Sequence, residues 1–261
     1  MTHPALFVSH GSPMIALQAT PAASFLAGLA ASLQRPRAIL VVSAHWETAA
    51  PMLNAVDRND TIHDFFGFPR PLYDLRYPAP GDAALARDIA ARLGTAGFAA
   101  GTDPARGLDH GAWIPLLLAW PDASIPTLQI SVQSRLGPGH AFAIGQALAP
   151  LRDEGVLIIG SGSFTHDLRR FRGQAVDAPE SADVTAFSDW MDAAIGRGDT
   201  EALLAYRSLA PHAADEHPTE EHLLPLFTAL GAGGTGAARR LHRSTEYSIL
   251  RMDAYGFGLP A

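Results

Sequence analysis

The chain has 261 residues, of which 48% are hydrophobic, and a formal net charge of −7 at pH 7. This length and composition suit one α/β domain with a large core, so we predict a single domain over residues 1–261. The negative charge argues against nucleic acid and against an anionic membrane surface as partners. Cysteine is absent, which excludes disulfides and thiolate sites, so any bound metal must have nitrogen and oxygen ligands.

The N-terminal segment has none of the features of a targeting sequence. Residues 1–8 lack a basic region, and their apolar run is too short for a secretory signal peptide. No stretch of the chain approaches the roughly 18 apolar residues that a membrane helix needs. We therefore expect a cytoplasmic protein.

Short apolar strands alternate with helical patterns along the chain. We predict strands at 5–9, 38–43, 125–132, 156–160 and 246–252. We predict helices at 22–33, 80–93 (ended by Gly94), 187–195, 201–206 and 220–230, the last one kinked at Pro225. Continuous apolar strands separated by helices are typical of an α/β fold with a central, mostly parallel or mixed sheet and helices on both faces.

The segment 61–81 combines four prolines with several aromatic side chains, among them Phe65, Phe68, Tyr73 and Tyr77. A polar linker does not carry so many aromatic residues. We predict an ordered loop that covers part of the sheet and the mouth of a site.

Four of the 11 histidines lie at the ends of predicted elements. His10, His45 and His166 follow predicted strands, and His222 lies near a predicted helix start. In open α/β sheets, ligands bind at the carboxyl ends of the strands, and neutral imidazole is a good ligand for a borderline divalent metal. A histidine taken alone more often only hydrogen-bonds locally, but four of them in these positions favour a metal site.

Other histidine and glycine motifs carry weaker signals. His110, between Asp109 and Gly111, is equally typical of a pocket imidazole and of a helix N-terminal turn. The segment 212–222 has three histidines and four acidic residues and could form a metal site of its own, but it lacks H-E-x-x-H, and we predict a solvated loop from which only His222 points inward. The segment 231–236 matches G-x-G-x-x-G but follows a helix, which predicts a turn rather than a dinucleotide site. Ser161 lies in Gly-Ser-Gly, which is not a nucleophile elbow.

Taken together and in order, the motifs of this chain are similar to those of one family. They are Ser9-His10-Gly11-Ser12-Pro13, Ser43-Ala44-His45-Trp46, Thr61-Ile62-His63-Asp64-Phe65, Tyr77-Pro78-Ala79-Pro80-Gly81, Asp109-His110-Gly111, Ser161-Gly162-Ser163 through His166, and Pro218-Thr219-Glu220-Glu221-His222. The set resembles the class III extradiol ring-cleavage dioxygenases, specifically their 4,5-DOPA dioxygenase branch, over about residues 5 to 230.

The resemblance implies an α/β catalytic domain with one metal in a cleft. His10, His45 and His222 match the metal ligands, whereas in protocatechuate-cleaving members the third ligand is a glutamate; here Glu221 is adjacent to His222. His166 matches the acid/base histidine, which is a further ligand in some zinc-loaded forms. His110 matches a second pocket histidine.

The resemblance also implies the reaction. The substrates would be a catechol such as L-DOPA and O2, and the product a ring-opened semialdehyde. The metal would be Fe(II) for activity, with Zn(II) as a credible occupant of the isolated protein. His166 would take a proton from the catechol and later return it, and His110 would assist at a bound oxygen.

Residues expected to contact the substrate are less well defined. By analogy with the family, Trp46, His63 and Tyr73 line the pocket, and an arginine among 70, 76 and 135 pairs with a substrate carboxylate. Two other functions remain open at this point: a zinc hydrolase that uses the same histidines, and a non-enzymatic binding relative. Whether the chain is a monomer or a homodimer is also open.

Overall fold

A computed structural model describes residues 2–234 and 237–259, which form an eight-stranded mixed sheet with helices on both faces and a small second sheet. The strands are β1 Ala5–Ser9, β2 Ala38–Glu47, β3 Met52–Asn54, β4 Gly101–Asp103, β5 Thr127–Val132, β6 Val156–Gly162, β7 Ala237–His242, β8 Thr245–Glu246, β9 Leu250–Arg251 and β10 Ala254–Leu259. The main sheet has the order β4-β3-β5-β2-β6-β1-β10-β7, and β8 pairs with β9. The predicted α/β class is confirmed.

Ten α-helices are found within the described ranges. They are α1 Pro21–Leu29, α2 Arg70–Asp74, α3 Ala83–Thr95, α4 His110–Ala119, α5 Gly137–Leu148, α6 Ala182–Gly196, α7 Thr200–Leu204, α8 Tyr206–Leu209, α9 Ala213–Glu216 and α10 Leu224–Gly233. None of the helices in these ranges is long and apolar enough to cross a membrane.

The central strands are apolar on both faces because each face is covered by helices. In β1, Ala5 and Phe7 belong to the core beneath α3, α5, α6 and α10, whereas Leu6 and Val8 belong to the core beneath α1 and α4. Side chains alternate across a strand, so a strand buried on both sides is a continuous apolar run. This is why these strands are recognisable in the sequence.

The four central strands β5, β2, β6 and β1 are mutually parallel. Their carboxyl ends therefore meet at one edge of the sheet, where the chain leaves each strand for a loop. At one side β10 joins β1 in the antiparallel direction and β7 joins β10; at the other, β3 joins β5. The sheet is thus mixed at its margins and parallel where it positions the site.

Several predicted boundaries are wrong. Helix α10 begins at Leu224, so Pro225 lies in its first turn, where a missing N–H costs nothing, and no kink results. Helix α3 continues through Gly94 to Thr95, and α1 ends at Leu29. The predicted strand 246–252 is the short hairpin β8–β9, and the strands β7 and β10 were not predicted. Of the G-x-G-x-x-G segment, which was predicted to be a turn, 231–233 are instead the last residues of α10, and 235–236 lie outside the described residues.

Candidate active site

Five histidines meet at the carboxyl edge of the parallel strands. His10 directly follows β1, His166 follows β6 by a few residues, and His45 lies near the end of β2. His110 is the first residue of α4, and His222 lies just before α10. Sequence reasoning identified all five, although His45 was expected after its strand rather than within it.

The end of β2 departs from regular pairing where it carries His45. Val42 pairs with Ile130 of β5, but the next pair is Glu47 with Val132, so β2 has extra residues in between. Such a bulge bends the strand and re-aims its side chains. The irregular stretch turns the imidazole of His45 toward the strand ends.

Two glycines allow the elements that carry histidines to approach each other closely. A Cβ on Gly162, at the end of β6, would lie 2.0 Å from the carbonyl oxygen of His222. The next amide, of Ser163, donates to the same carbonyl at 2.9 Å. A Cβ on Gly111 would lie 2.9 Å from Cδ2 of His45 and 3.2 Å from Cε1 of His10. Only glycine fits at either position without displacing a neighbour.

The Nε2 atoms of three imidazoles converge. Nε2 of His45 lies 3.0 Å from Nε2 of His10 and 3.3 Å from Nε2 of His222. Nitrogens that are each about 2.0–2.1 Å from one tetrahedral ion are about 3.3 Å apart, so these separations match those of ligands on a shared metal. His10, His45 and His222 can therefore hold one ion.

The outer nitrogens of these imidazoles determine which tautomers are present. Nδ1 of His10 lies 3.0 Å from the hydroxyl oxygen of Ser161, whose own proton is donated to the carbonyl of Gly111. Nδ1 of His10 is therefore the donor, and its Nε2 carries a lone pair. Nδ1 of His222 lies 3.0 Å from Oε1 of Glu221 and donates to it in the same way.

Burial keeps all three imidazoles neutral at physiological pH. Burial lowers the pKa of His45 to about 3, and burial together with the neighbouring imidazoles lowers the pKa of His10 and His222 well below 6.5. With lone pairs on Nε2 of His10 and His222, a single proton on Nε2 of His45 could satisfy only one of them. A divalent cation can bind the Nε2 atoms of all three imidazoles at once, so this set of donors fits a divalent metal.

Two further imidazoles flank the three. The ring of His166 stacks on the ring of His222, with centroids 3.4 Å apart and planes 11° apart. The ring of His110 lies 3.9 Å from that of His45. Burial lowers the pKa of His166 to about 4, so its imidazole is neutral near pH 7 and can accept a proton.

Carboxylates anchor His110 and the start of α4. Oδ1 of Asp64 accepts a hydrogen bond from the backbone amide of His110 at 2.9 Å and lies 3.0 Å from its Nδ1. Burial alone would raise the pKa of Asp64, but the hydrogen bonds and charge of His110 outweigh it and bring the pKa to about 2. Asp109 caps α4 and accepts from Ser43 and Gln129.

A cavity of about 410 Å³ opens onto these imidazoles, and all five line it. Its remaining wall is largely apolar. Phe65 and Phe68 come from the 61–81 segment, Leu168 and Phe171 from the loop after β6, and Ile249 and Leu250 from the β8–β9 hairpin. The segment 61–81, predicted to cover the mouth of a site, contributes Phe65 and Phe68 to the wall of this cavity.

None of the three residues expected to contact substrate lines this cavity. His63 packs against Phe65 at 5.6 Å between centroids, and the hydroxyl of Tyr73 lies 3.4 Å from the amide of Phe68 and 3.5 Å from the carbonyl of Phe65. The ring of Trp46 faces the guanidinium of Arg106 at 5.0 Å. In this structure their contacts are with the loop and with Arg106, and they do not line the cavity.

The arginines considered for a substrate carboxylate are also absent from the cavity wall formed by the described residues. Arg76 donates to the carbonyls of Tyr73 and Leu75, within its own loop. Neither Arg70 nor Arg135 contributes to the wall. The sequence offered no signal for their placement, because a surface arginine and a ligand-binding arginine look alike in a sequence.

The acidic segment 212–222 is less exposed than predicted. His217 is fully buried, and its Nε2 lies 3.0 Å from the carbonyl oxygen of Phe164. Glu216 is also buried, and its Oε1 accepts from Arg170 at 2.9 Å. The prediction that only His222 points inward is therefore wrong, because the segment packs against the loop after β6.

Comparison with known proteins places this geometry in a family. Residues 4–258 match the family model described as the catalytic LigB subunit of aromatic ring-opening dioxygenase. A Beta vulgaris protein named 4,5-DOPA dioxygenase extradiol is 45% identical over 261 residues, which cover 96% of this chain and 95% of that protein. An Escherichia coli K12 protein of the same name is 39% identical, over 88% of this chain and 84% of that protein.

A solved structure agrees with the fold. The crystal structure of an uncharacterized protein from Escherichia coli K12 superposes with a TM-score of 0.80 and 33% identity, covering 98% of this chain and 100% of the other. The family match spans nearly the whole chain, including every histidine of the site, and members of this family depend on a non-haem metal. The chain belongs to the LigB family of aromatic ring-opening dioxygenases and is an extradiol dioxygenase.

Proposed function

We propose that the enzyme opens a catechol ring with O2 at a single Fe(II) held by His10, His45 and His222, and that L-DOPA is one of its substrates. The observation that carries this assignment is the convergence of the three Nε2 atoms beneath a cavity of about 410 Å³. Fe(II), when bound, supplies open coordination positions and electrons for O2.

The three ligands are all neutral, which distinguishes this site from one with two histidines and a carboxylate. Without a ligand carboxylate, the bound ion keeps one more positive charge for the substrate. An anionic catecholate is attracted more strongly by that charge. The same ligand set also accepts Zn(II), which we expect in protein isolated without added iron.

His166 is the proposed proton acceptor for a catechol hydroxyl. It lines the cavity, its ring is stacked on His222, and it is neutral near pH 7 because its pKa is about 4. A catecholate in contact with the imidazole stabilises the protonated form, because opposite charges attract, so His166 can hold the proton while substrate is bound. It returns this proton when the product leaves.

His110 is the proposed second imidazole of the reaction. Asp64 accepts a hydrogen bond from its backbone amide at 2.9 Å and lies 3.0 Å from Nδ1, which positions the start of α4 and this imidazole beside the cavity. From this position His110 can donate a hydrogen bond to a substrate oxygen. The aromatic wall of Phe65 and Phe68 excludes water beside it.

The test is oxygen uptake by protein loaded anaerobically with Fe(II), followed by addition of L-DOPA and air. We expect stoichiometric O2 consumption together with a visible semialdehyde chromophore, whose mass exceeds that of the substrate by two oxygen atoms. Zinc-loaded protein is the matched control and should consume none. Absence of oxygen uptake with L-DOPA and with every other catechol in a panel would refute the proposal.

A further inference from the structure

Apart from its imidazoles, the cavity wall has few polar side chains. Apart from the five histidines, the described residues that line it include no acidic or basic side chain. Its two other polar side chains, Ser12 and Tyr247, are uncharged hydroxyls. The hydroxyl oxygen of Ser12 accepts from the amide of Met14, and the hydroxyl of Tyr247 donates to Gln18 at 3.0 Å.

The charged groups that adjoin wall residues in the sequence do not line the cavity. Asp64 contacts His110, and Glu221 contacts His222. In the loop after β6, Arg169 is paired with Asp167 at 2.7 Å, and Arg172 donates to the backbone carbonyls of Arg169 and Phe171. A substrate carboxylate or ammonium would find no free counter-charge among the residues that form the wall.

The apolar surface continues from the cavity to its mouth. Leu168 and Phe171 line the cavity and yet are 54% and 46% exposed. The volume of about 410 Å³ corresponds to roughly 14 waters at about 30 Å³ each, which is more than the eight non-hydrogen atoms of a catechol occupy. The space beyond the ring is therefore available to a ring substituent, and that substituent contacts apolar side chains.

We propose that the enzyme prefers catechols with an uncharged, apolar ring substituent over L-DOPA, whose side chain carries both a carboxylate and an ammonium. The reason is that an apolar substituent gains burial against Leu168 and Phe171, whereas a charged substituent loses hydration and meets no acidic or basic side chain beyond the imidazoles. This inference rests on the proposed ring-cleaving function and concerns the substrate class of the same site.

A matched series of catechols tests the inference on the Fe(II)-loaded enzyme. The series is 4-propylcatechol, dopamine, 3-(3,4-dihydroxyphenyl)propionate and L-DOPA, which share the ring and have substituents of similar length. We expect kcat/KM for 4-propylcatechol to exceed that for L-DOPA by at least tenfold, with a matching order of Kd values measured anaerobically. Equal kcat/KM values, or a preference for L-DOPA, would overturn the inference, whereas no oxygen uptake with any catechol would overturn the proposed function itself.

A charge introduced into the wall provides a second measurement. Leu168→Arg places a guanidinium at an exposed position of the wall, and we expect it to raise the ratio of kcat/KM for the propionate to that for 4-propylcatechol by at least fivefold. Leu209→Arg is the matched control, since Leu209 is 55% exposed in α8 and does not line the cavity. An unchanged ratio in Leu168→Arg would contradict the contact between this wall and the substituent.

Discussion

Replacing Gly111 with alanine should disturb the histidine site without altering any ligand. Gly111 is buried in the first turn of α4, and a Cβ there would lie 2.6 Å from the hydroxyl oxygen of Ser43, 2.9 Å from Cδ2 of His45 and 3.2 Å from Cε1 of His10. Ser43 cannot simply rotate away, because its hydroxyl donates to the buried carboxylate of Asp109 at 2.6 Å. The two imidazoles must shift instead.

The expected change in the free energy of unfolding follows from two opposing effects, and the expected change in metal affinity follows from the displacement of the ligands. Alanine stabilises a helix by about 0.5–1 kcal/mol relative to glycine, and overpacking costs about 1–3 kcal/mol. We therefore expect a net loss of between about zero and 2.5 kcal/mol in the free energy of unfolding. Displacing ligand imidazoles should weaken metal affinity roughly 10–100-fold, which is the usual effect of removing the groups that orient metal ligands.

The assay is metal affinity by chelator competition, together with urea denaturation of the metal-free protein. Gly94→Ala is the control, because Gly94 lies within α3 and a Cβ there meets nothing within 4 Å. That variant should be slightly more stable and bind metal normally. Wild-type metal affinity in Gly111→Ala would refute the packing argument, because the added methyl group would then be accommodated without moving the imidazoles.

Four other variants probe the site and the segment beside it. His45→Ala should abolish stoichiometric metal binding, whereas His166→Ala should retain metal and lose turnover; equal metal loss in metal analysis would make His166 a ligand. Asp64→Asn should lower kcat roughly 10–100-fold with metal retained, because His110 loses its charged anchor; an unchanged kcat would remove His110 from the mechanism. His217→Gln should make the free energy of unfolding less sensitive to acid. Burial lowers the pKa of His217 to about 4, so between pH 6.5 and pH 4 this histidine binds a proton in the unfolded chain but not in the folded one. The wild type therefore loses up to roughly 3 kcal/mol of stability as the pH falls through that range. Denaturation series at pH 7 and pH 4.5 measure this difference, and identical pH dependence of variant and wild type would contradict it.

Much of the fold and the identity of the five histidines were predictable from the sequence. The parallel strands are continuous apolar runs, because helices cover both faces of the sheet, and a histidine directly after such a run lies at the edge where ligands bind. The strands β7 and β10 were not predicted because their sequences do not have this continuous apolar pattern. They lie at one side of the sheet and include polar and glycine residues, among them Arg239, Arg240 and Gly256, so neither is a continuous apolar run.

The sequence by itself identified the side chains that can take part in the chemistry of this protein. They are imidazoles at strand ends and His110 at a helix start, together with an aromatic segment next to the site. Tertiary structure alone decided how they are used. The 3.0 and 3.3 Å separations of the Nε2 atoms, the burial of His217 and the exclusion of Trp46, His63 and Tyr73 from the cavity lining depend on contacts between residues far apart in the chain. The physical reason is that sequence periodicity reports which face of an element is buried, whereas distances and hydration at a site depend on how separate elements pack.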